Sequence, residues 1–414
     1  MSSTLTTTRF FLETMASKEP QLASIACPFT AIFNQQKAVI DMGSSQVAIE
    51  LFKGNEKVAP LVSRMLGSAL NGDTPVITPG VAGANDYLFS LISQDLELPA
   101  GILNDRTPGE PAYVTQGSSD SIKQFRRGYW LLKLTMDIVS RVVRKNELLA
   151  KQAYFDSEMD IYDEHQGATK LIFPRSTELK NRTVAVSWAT AASAKPWDDL
   201  GNAFRVIRKT SMVNNNNLRT AFMSSDTMQN LLAVYRSQRA NEGPDMNVVY
   251  NAFDFDPDKG APSTLKFLID NGMEYGGWVR GSWGNEKIHL FTLPEGYDSV
   301  EGDSSSNFTD WISGETIAVG LFSPAYFKAY YGPGVLVPSG DSVMTQALGK
   351  TGMKNLPALG DLTIGLSKIP TKSIMLNLYP LGKDQGWGAT IQHAPIYVPI
   401  RPDVVATIDT ETTA

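Results

Sequence analysis

One cysteine, three histidines and no apolar run of about 18 residues are what stand out as missing from this 414-residue chain. The lone thiol, Cys27, excludes an internal disulfide and any multi-cysteine metal site, and it fits a reducing compartment. His165, His289 and His393 lie far apart in sequence. None belongs to a spaced metal motif or a recognisable nucleophile motif, and G-x-S-x-G is absent. With no long apolar run, nothing spans a bilayer as a helix. The best leader candidate, Leu22 to Phe33, follows a polar segment containing Glu13, Lys18 and Glu19 and lacks a small-x-small cleavage site, so the chain reads as unexported. Net positive charge is missing too. Lys and Arg number 37 against 43 Asp and Glu, a balance of −6, which excludes a surface that grips nucleic acid all over and leaves only local contact.

What is present describes a globular protein with many turns: 42% hydrophobic and 19% charged residues, with 33 Gly and 23 Pro. At 45.2 kDa there is room for two or three domains. Two motifs suggest a ligand and fail on spacing. Gly349 to Thr351 reads GKT, but the position five before Gly349, where a phosphate-binding loop needs glycine, holds Met344. Asp254 to Gly260 reads DFDPDKG, yet Lys259 and Leu265 occupy the sixth and twelfth positions, where a calcium loop needs Gly and Glu. A glycine-rich stretch from Asn271 to Phe291 lacks the G-x-G-x-x-G offsets and runs into alternating EKIHLFTL. It predicts strand, glycine corner, strand, with φ > 0 at Gly276 or Gly277.

Along the chain, residues 1 to about 35 have a Ser/Thr-rich start and no sustained period, the pattern of an arm ordered by lying on something else. Lys37 to Phe52 gives two strand-like runs around Gly43, Ser44 and Ser45, the spacing of a hairpin. From Leu66 to Gly117, frequent Gly and Pro with interspersed apolar residues predict a projecting loop. Then Ile122, Phe125, Tyr129, Leu132, Met136, Val139 and Val143 alternate steps of 3 and 4, one apolar stripe on a helix that extends to about Tyr154. Off the stripe, eight Lys and Arg stand against Asp120, Asp137 and Glu147, a basic face for an acidic neighbour or a polyanion. Helices are expected from near Pro196 and from near Ser225. Strands are expected at Arg182–Trp188, Glu315–Phe322, Lys372–Leu381 and Ala394–Ile400, so the class is α+β with no internal repeat.

Five segments in this order carry a resemblance: Asn104–Pro111 (NDRTPGEP), Arg141–Tyr154 (RVVRKNELLAKQAY), Val186–Leu200 with Trp188, Pro196 and Asp199, the Asn271–Phe291 stretch, and His393–Ile408. Together they resemble the major capsid proteins of tailed bacteriophages, the lambda-like capsid protein E family with the Hong Kong 97-type fold. The chain departs from that pattern at about Ser299 to Gly314 and Gly332 to Pro370, which read as insertions.

The resemblance implies an N-terminal arm (1–36), a hairpin and extended loop (37–117) and a peripheral domain with a spine helix (118–215). An axial domain with insertions (216–370) and a C-terminal strand returning to the peripheral domain (371–414) complete the chain. It implies a major capsid protein, not an enzyme and without cofactor or metal, that assembles in the host cytoplasm into the icosahedral shell of a virion around double-stranded DNA. Its partners would be itself, as pentamers and hexamers, with scaffolding, portal and decoration proteins, DNA held without sequence specificity, and no membrane. Subunit contacts are expected at Arg106, Glu110, Arg126, Arg127, Arg141, Arg144, Trp188 and Asp199. An encapsulin-like compartment shell and, from another class, a soluble α+β enzyme are the alternatives.

Overall fold

The computed structural model describes residues 25–35, 39–40, 46–52, 81–88, 92–99, 140–163, 167–211, 213, 218–241, 262–280, 287–298, 308–312, 314–332, 375–380 and 386–411. In chain order these form helix α1 (Pro28–Phe33), strands β1 (Val39–Ile40), β2 (Gln46–Phe52), β3 (Val81–Leu88) and β4 (Ile92–Pro99), and helix α2 over 140–155. There follow β5 (Glu158–Asp163), β6 (Gly167–Ile172), β7 (Arg182–Thr183), α3 (Pro196–Ser211), β8 (Leu218–Met223), α4 (Ser225–Asn241) and α5 (Lys266–Asp270). The rest is strand: β9 (Glu274–Arg280), β10 (Lys287–Thr292), β11 (Gly296–Asp298), β12 (Phe308–Asp310), β13 (Thr316–Phe322), β14 (Phe327–Tyr331), β15 (Met375–Pro380), β16 (Gly386–His393), β17 (Pro395–Pro399) and β18 (Val405–Asp409).

The centre is a six-stranded mixed sheet in the order β7-β18-β13-β8-β10-β9. Its inner strands β8, β10 and β13 are buried almost continuously, the mark of a sheet covered on both faces. One face takes Tyr154 and Phe29, both ring-packed on Phe222 of β8. There Gly320 of β13 lets the helix end come close, since a Cβ would stand 2.8 Å from the Tyr154 hydroxyl. The other face takes α3 and α4: the Arg219 guanidinium of β8 lies 5.4 Å from the Phe204 ring, and Met228 of α4 fills the space a Cβ on Gly276 would need. Helix α3 forms where the sequence dictates. Pro196 opens it, Asp198 and Asp199 sit at its positive end, Arg208 and Lys209 at its negative end, and Leu200, Ala203, Phe204 and Ile207 make one buried stripe.

The glycine stretch is a strand pair, β9 against β10. His289 faces Trp278 and Phe291 faces Tyr275, so Gly276 and Gly277 together oppose Leu290 in a bulge. Gly277 has φ 96°, which answers the expectation of a left-handed residue at 276 or 277.

Other expectations are corrected. The described strands of the expected hairpin at 37–52 do not pair with each other: β1 runs parallel to β14, while β2 pairs with β3, which follows 28 residues later in the chain (53–80). A Gly-Ser-Ser spacer permits a tight turn, but longer-range partners win here. The segment 25–35 is not a bare arm, because α1 is buried along its whole length. Arg182–Trp188 is strand only at its first two residues. The six-stranded sheet takes β7 from the expected 118–215 segment, β8, β9, β10 and β13 from 216–370, and β18 from 371–414, so those boundaries cut through one sheet. The stripe before Ser140, the Asn104–Pro111 motif, the GKT and DFDPDKG segments, His165 and most of both insertions lie outside the described residues.

Candidate assembly surface

Among the expected contact residues, Arg106, Glu110, Arg126 and Arg127 lie outside the described residues. Arg141 and Arg144 are exposed on α2, together with Lys145, so a basic outer face exists at the described end of that helix. Trp188 and Asp199 are brought together but turned inward. Trp188 is fully buried, its backbone N–H donates to Thr410 O at 3.2 Å, and its indole N–H donates to Asp199 Oδ2 at 3.0 Å. A side chain with no exposed surface offers nothing to a neighbour, so Trp188 is corrected from contact residue to internal brace. Asp199 lies in the first turn of α3, and burial raises its pKa against the lowering by the indole hydrogen bond.

The inner face of α2 holds what sequence reasoning missed. Glu147 is fully buried, and its two carboxylate oxygens accept the Phe29 N–H at 2.7 Å and the Thr30 N–H at 2.9 Å. These are the second and third residues of α1; Pro28, the first, has no N–H to satisfy. One carboxylate 118 positions away in sequence therefore replaces a local cap with two charge-assisted bonds. The signal was available. Stepping 3 and 4 from Val143 along the stripe reaches Asn146 or Glu147, then Ala150 and Tyr154, so Glu147 belongs to the buried stripe and not to the charged face.

Around this bond α1 joins two sheets to the end of α2. Phe29 packs edge-on to Phe155 at 5.6 Å, and Phe33 packs edge-on to Phe327 of β14 and Tyr397 of β17, each at 5.5 Å. The Tyr331 hydroxyl donates to Asn34 Oδ1 at 2.9 Å. The far end of α2 is closed by Arg175, nearly fully buried, which donates to Phe155 O and Tyr154 O at 2.6 Å each and to Pro402 O at 3.3 Å. Tyr154 O and Phe155 O are carbonyls of the kind a helix C-terminus leaves without partners. Burial pushes the Arg175 pKa down to about 10, which keeps it cationic at neutral pH. Among the described residues none pairs a nucleophile with a base in a catalytic arrangement; His289, bonded through Nδ1 to the Tyr275 hydroxyl at 2.9 Å, has its pKa lowered to about 4 by burial and by the charge of Lys287.

Outward, β2 and β3 pair with each other and with no further strand among the described residues. A ribbon of two strands is marginal by itself in water and gains stability by lying on another surface.

No protein-family profile matches the chain, and no curated protein does. Among solved structures it is similar to a protein assigned as the capsid protein of a prophage in Escherichia coli CFT073, with 12% identity, 93% of each chain covered and a TM-score of 0.54. The two share a fold along nearly their whole length, and the α+β Hong Kong 97-type capsid fold expected from the sequence is the fold observed. More distant similarity extends to a structure from Mycobacterium phage Patience (8% identity, 96% of this chain and 86% of that one, TM-score 0.42). It extends also to the SrpI encapsulin of Synechococcus elongatus PCC 7942 (8% identity, 90% and 85%, TM-score 0.36), and neither distant likeness decides between virus and compartment.

Proposed function

We propose that this chain is the subunit of a self-assembling icosahedral capsid that encloses double-stranded DNA, with a structural and not a catalytic role. The observation that carries the reading is the shared fold with the prophage capsid protein across 93% of both chains. The open β2–β3 ribbon and the exposed Arg141, Arg144 and Lys145 support it as surfaces for neighbouring subunits. So does the acidic balance of −6, since a shell into which DNA is moved must not hold phosphate tightly everywhere. Assembly in the host cytoplasm, pentamers and hexamers, and scaffolding, portal and decoration partners belong to the same proposal.

The test is light scattering of the purified recombinant protein, then negative-stain microscopy of the earliest-eluting species. Megadalton hollow shells, or rings of five or six, are expected; a monomer of 45.2 kDa across salt and concentration overturns the reading. Nuclease-protected DNA in particles from infected or induced cells separates a virus from an encapsulin-like compartment, which would instead carry a copurifying protein cargo. Arg126→Glu with Arg127→Glu tests the basic face of the spine helix, and normal shells from that variant would remove it from the contact set.

A further inference from the structure

Residues 25–34 and β1 bind the subunit at places far from them in sequence. The Ala26 N–H donates to Glu295 Oε2 at 3.4 Å and the Cys27 N–H to Asn271 O at 3.1 Å, while Ala26 fills the space a Cβ on Gly272 would need. Phe29 packs on Tyr154, Phe155 and Phe222, and the Phe29 and Thr30 N–H groups close on Glu147. Phe33, Asn34 and β1 then reach β14 and β17. These partners belong to α2, to the turn before β9, to the six-stranded sheet and to the three-stranded sheet β1-β14-β17, so one segment pins both sheets to the helix.

Three features make this segment separable from the rest. Helix α1 has six residues, and helices shorter than about 12 residues are marginal in water, so away from its site it keeps little helix of its own. Lifting it breaks no pairing within the six-stranded sheet and leaves β14 on β17; only the two-residue bridge of β1 to β14 is lost. Its partners Glu295 and Tyr331 lie 269 and 297 positions downstream, so it is synthesised first and can close only once those strands exist.

The site it covers is not a dry apolar cleft. The buried hydroxyls of Tyr331 and Thr30 lie close to that of Tyr397, and the Glu147 charge reaches it too. Neither Thr30 Oγ1 nor the Tyr397 hydroxyl makes a well-formed hydrogen bond among the described residues. Opening lets water reach these groups, which offsets part of the cost of exposing Phe29 and Phe33. Charge-assisted and at 2.7 and 2.9 Å, the two bonds to Glu147 are the strongest polar contacts that opening breaks.

We propose that residues 25–34 and β1 form a strap that closes after the rest of the subunit has folded and opens as one unit, with Glu147 as its catch. Closed, the strap fixes the three-stranded sheet against the six-stranded one. Open, it frees β14 on its β1 side and leaves both sheets folded. The device belongs to the single subunit and does not depend on the shell reading.

The sole thiol, Cys27, is 3% exposed and so reports opening. Unassembled full-length subunits are treated with maleimide under conditions where labelling follows the open population. Four forms are compared: wild type, Glu147→Gln, Glu147→Ala, and Asp199→Leu, which weakens the fold at α3 and leaves the strap intact. Wild type is expected to label under native conditions at a rate nearly independent of low denaturant. Glu147→Ala should label about tenfold faster or more, Glu147→Gln by a smaller factor because it keeps one acceptor, and Asp199→Leu within about twofold of wild type. Hydrogen exchange followed by mass spectrometry should show peptides covering α1 and β1 opening together, ahead of β8 and β13.

Labelling that tracks global unfolding, so that Asp199→Leu accelerates it in proportion to its lost stability, overturns the strap. Exchange of α1 only in step with β8 and β13, or of α1 and β1 at separate rates, overturns it as well. If Glu147→Ala does not fold, wild type and Glu147→Gln carry the test, and a Glu147→Gln that labels at the wild-type rate removes the catch and the proposal with it.

Discussion

Two glutamates at two places in this fold do opposite things. Glu147 is fully buried, accepts two backbone N–H groups and has its charge spread over short bonds. Glu315 sits at the edge of the six-stranded sheet, pressed against Glu411 and Asp409, with its pKa pushed up to about 7 by that company. The first closes the subunit on itself, joining a segment from the start of the chain to the inner face of α2. The second stands at the exposed edge of the sheet, where the neighbouring carboxyls favour its protonated form. A carboxylate satisfied within the chain stabilises the monomer; one crowded by its own kind is raised in energy until it takes up a proton.

The largest expected effect separates them directly. Glu147→Ala leaves two buried donors without an acceptor, at about 1–3 kcal/mol each, so it should cost roughly 2–5 kcal/mol. Glu315→Ala should lie within about 0.5 kcal/mol of wild type or be slightly stabilising. Denaturant unfolding of unassembled subunits measures both, and equal costs would break the contrast. Next comes the close approach of Tyr154 to the sheet. Gly320→Ala puts a Cβ 2.8 Å from the Tyr154 hydroxyl and 3.2 Å from Val405 Cγ2, an overpacking that should cost about 1–3 kcal/mol by the same measurement. Smaller again is Asp199→Leu, which removes the acceptor of the buried Trp188 indole; about 1–2 kcal/mol is expected, with Asp199→Asn recovering most of it because an amide oxygen still accepts. An equal loss for the two would show that the carboxylate charge, and not the hydrogen bond, matters there.

Much of the sheet core was legible because it is local. Proline and paired aspartates at 196–199 give α3, the alternation at 287–292 gives β10, and adjacent glycines give the left-handed residue at Gly277, although both glycines lie within β9 and not at a corner. What failed was long-range. The spacer at Gly43–Ser45 has hairpin chemistry, yet β1 and β2 find partners at 327–331 and 81–88, and no local rule names a partner so distant. Glu147 looked like a surface charge because carboxylates usually are; only its phase on the helical stripe hinted otherwise, and the donors it serves lie 118 residues away. Trp188 belongs to a motif whose resemblance implies a contact residue, while its burial and its bonds to Thr410 O and Asp199 brace the chain internally.

The smallest effects are those of pH, and they run in opposite directions. Glu315 has its folded-state pKa raised from 4.5 to about 7, so its contribution is fully present below pH 4.5 and is lost as pH rises through 7. His289 has its pKa lowered from 6.5 to about 4, by burial first and by the charge of Lys287 second. It therefore contributes above pH 6.5, and that contribution is lost as pH falls toward 4, where the unfolded chain takes up a proton the folded one refuses. The Tm of unassembled wild type, Glu315→Gln and His289→Gln, followed from pH 4 to pH 8, resolves the two. Relative to wild type, Glu315→Gln should hold more of its Tm between pH 5 and pH 7.5, and His289→Gln should lose less on the acid side. If Glu315→Gln instead gave a profile parallel to wild type, the carboxyls at that edge would already be neutralised within the monomer. The contrast with Glu147 would then vanish, because both glutamates would be answered by the chain that carries them.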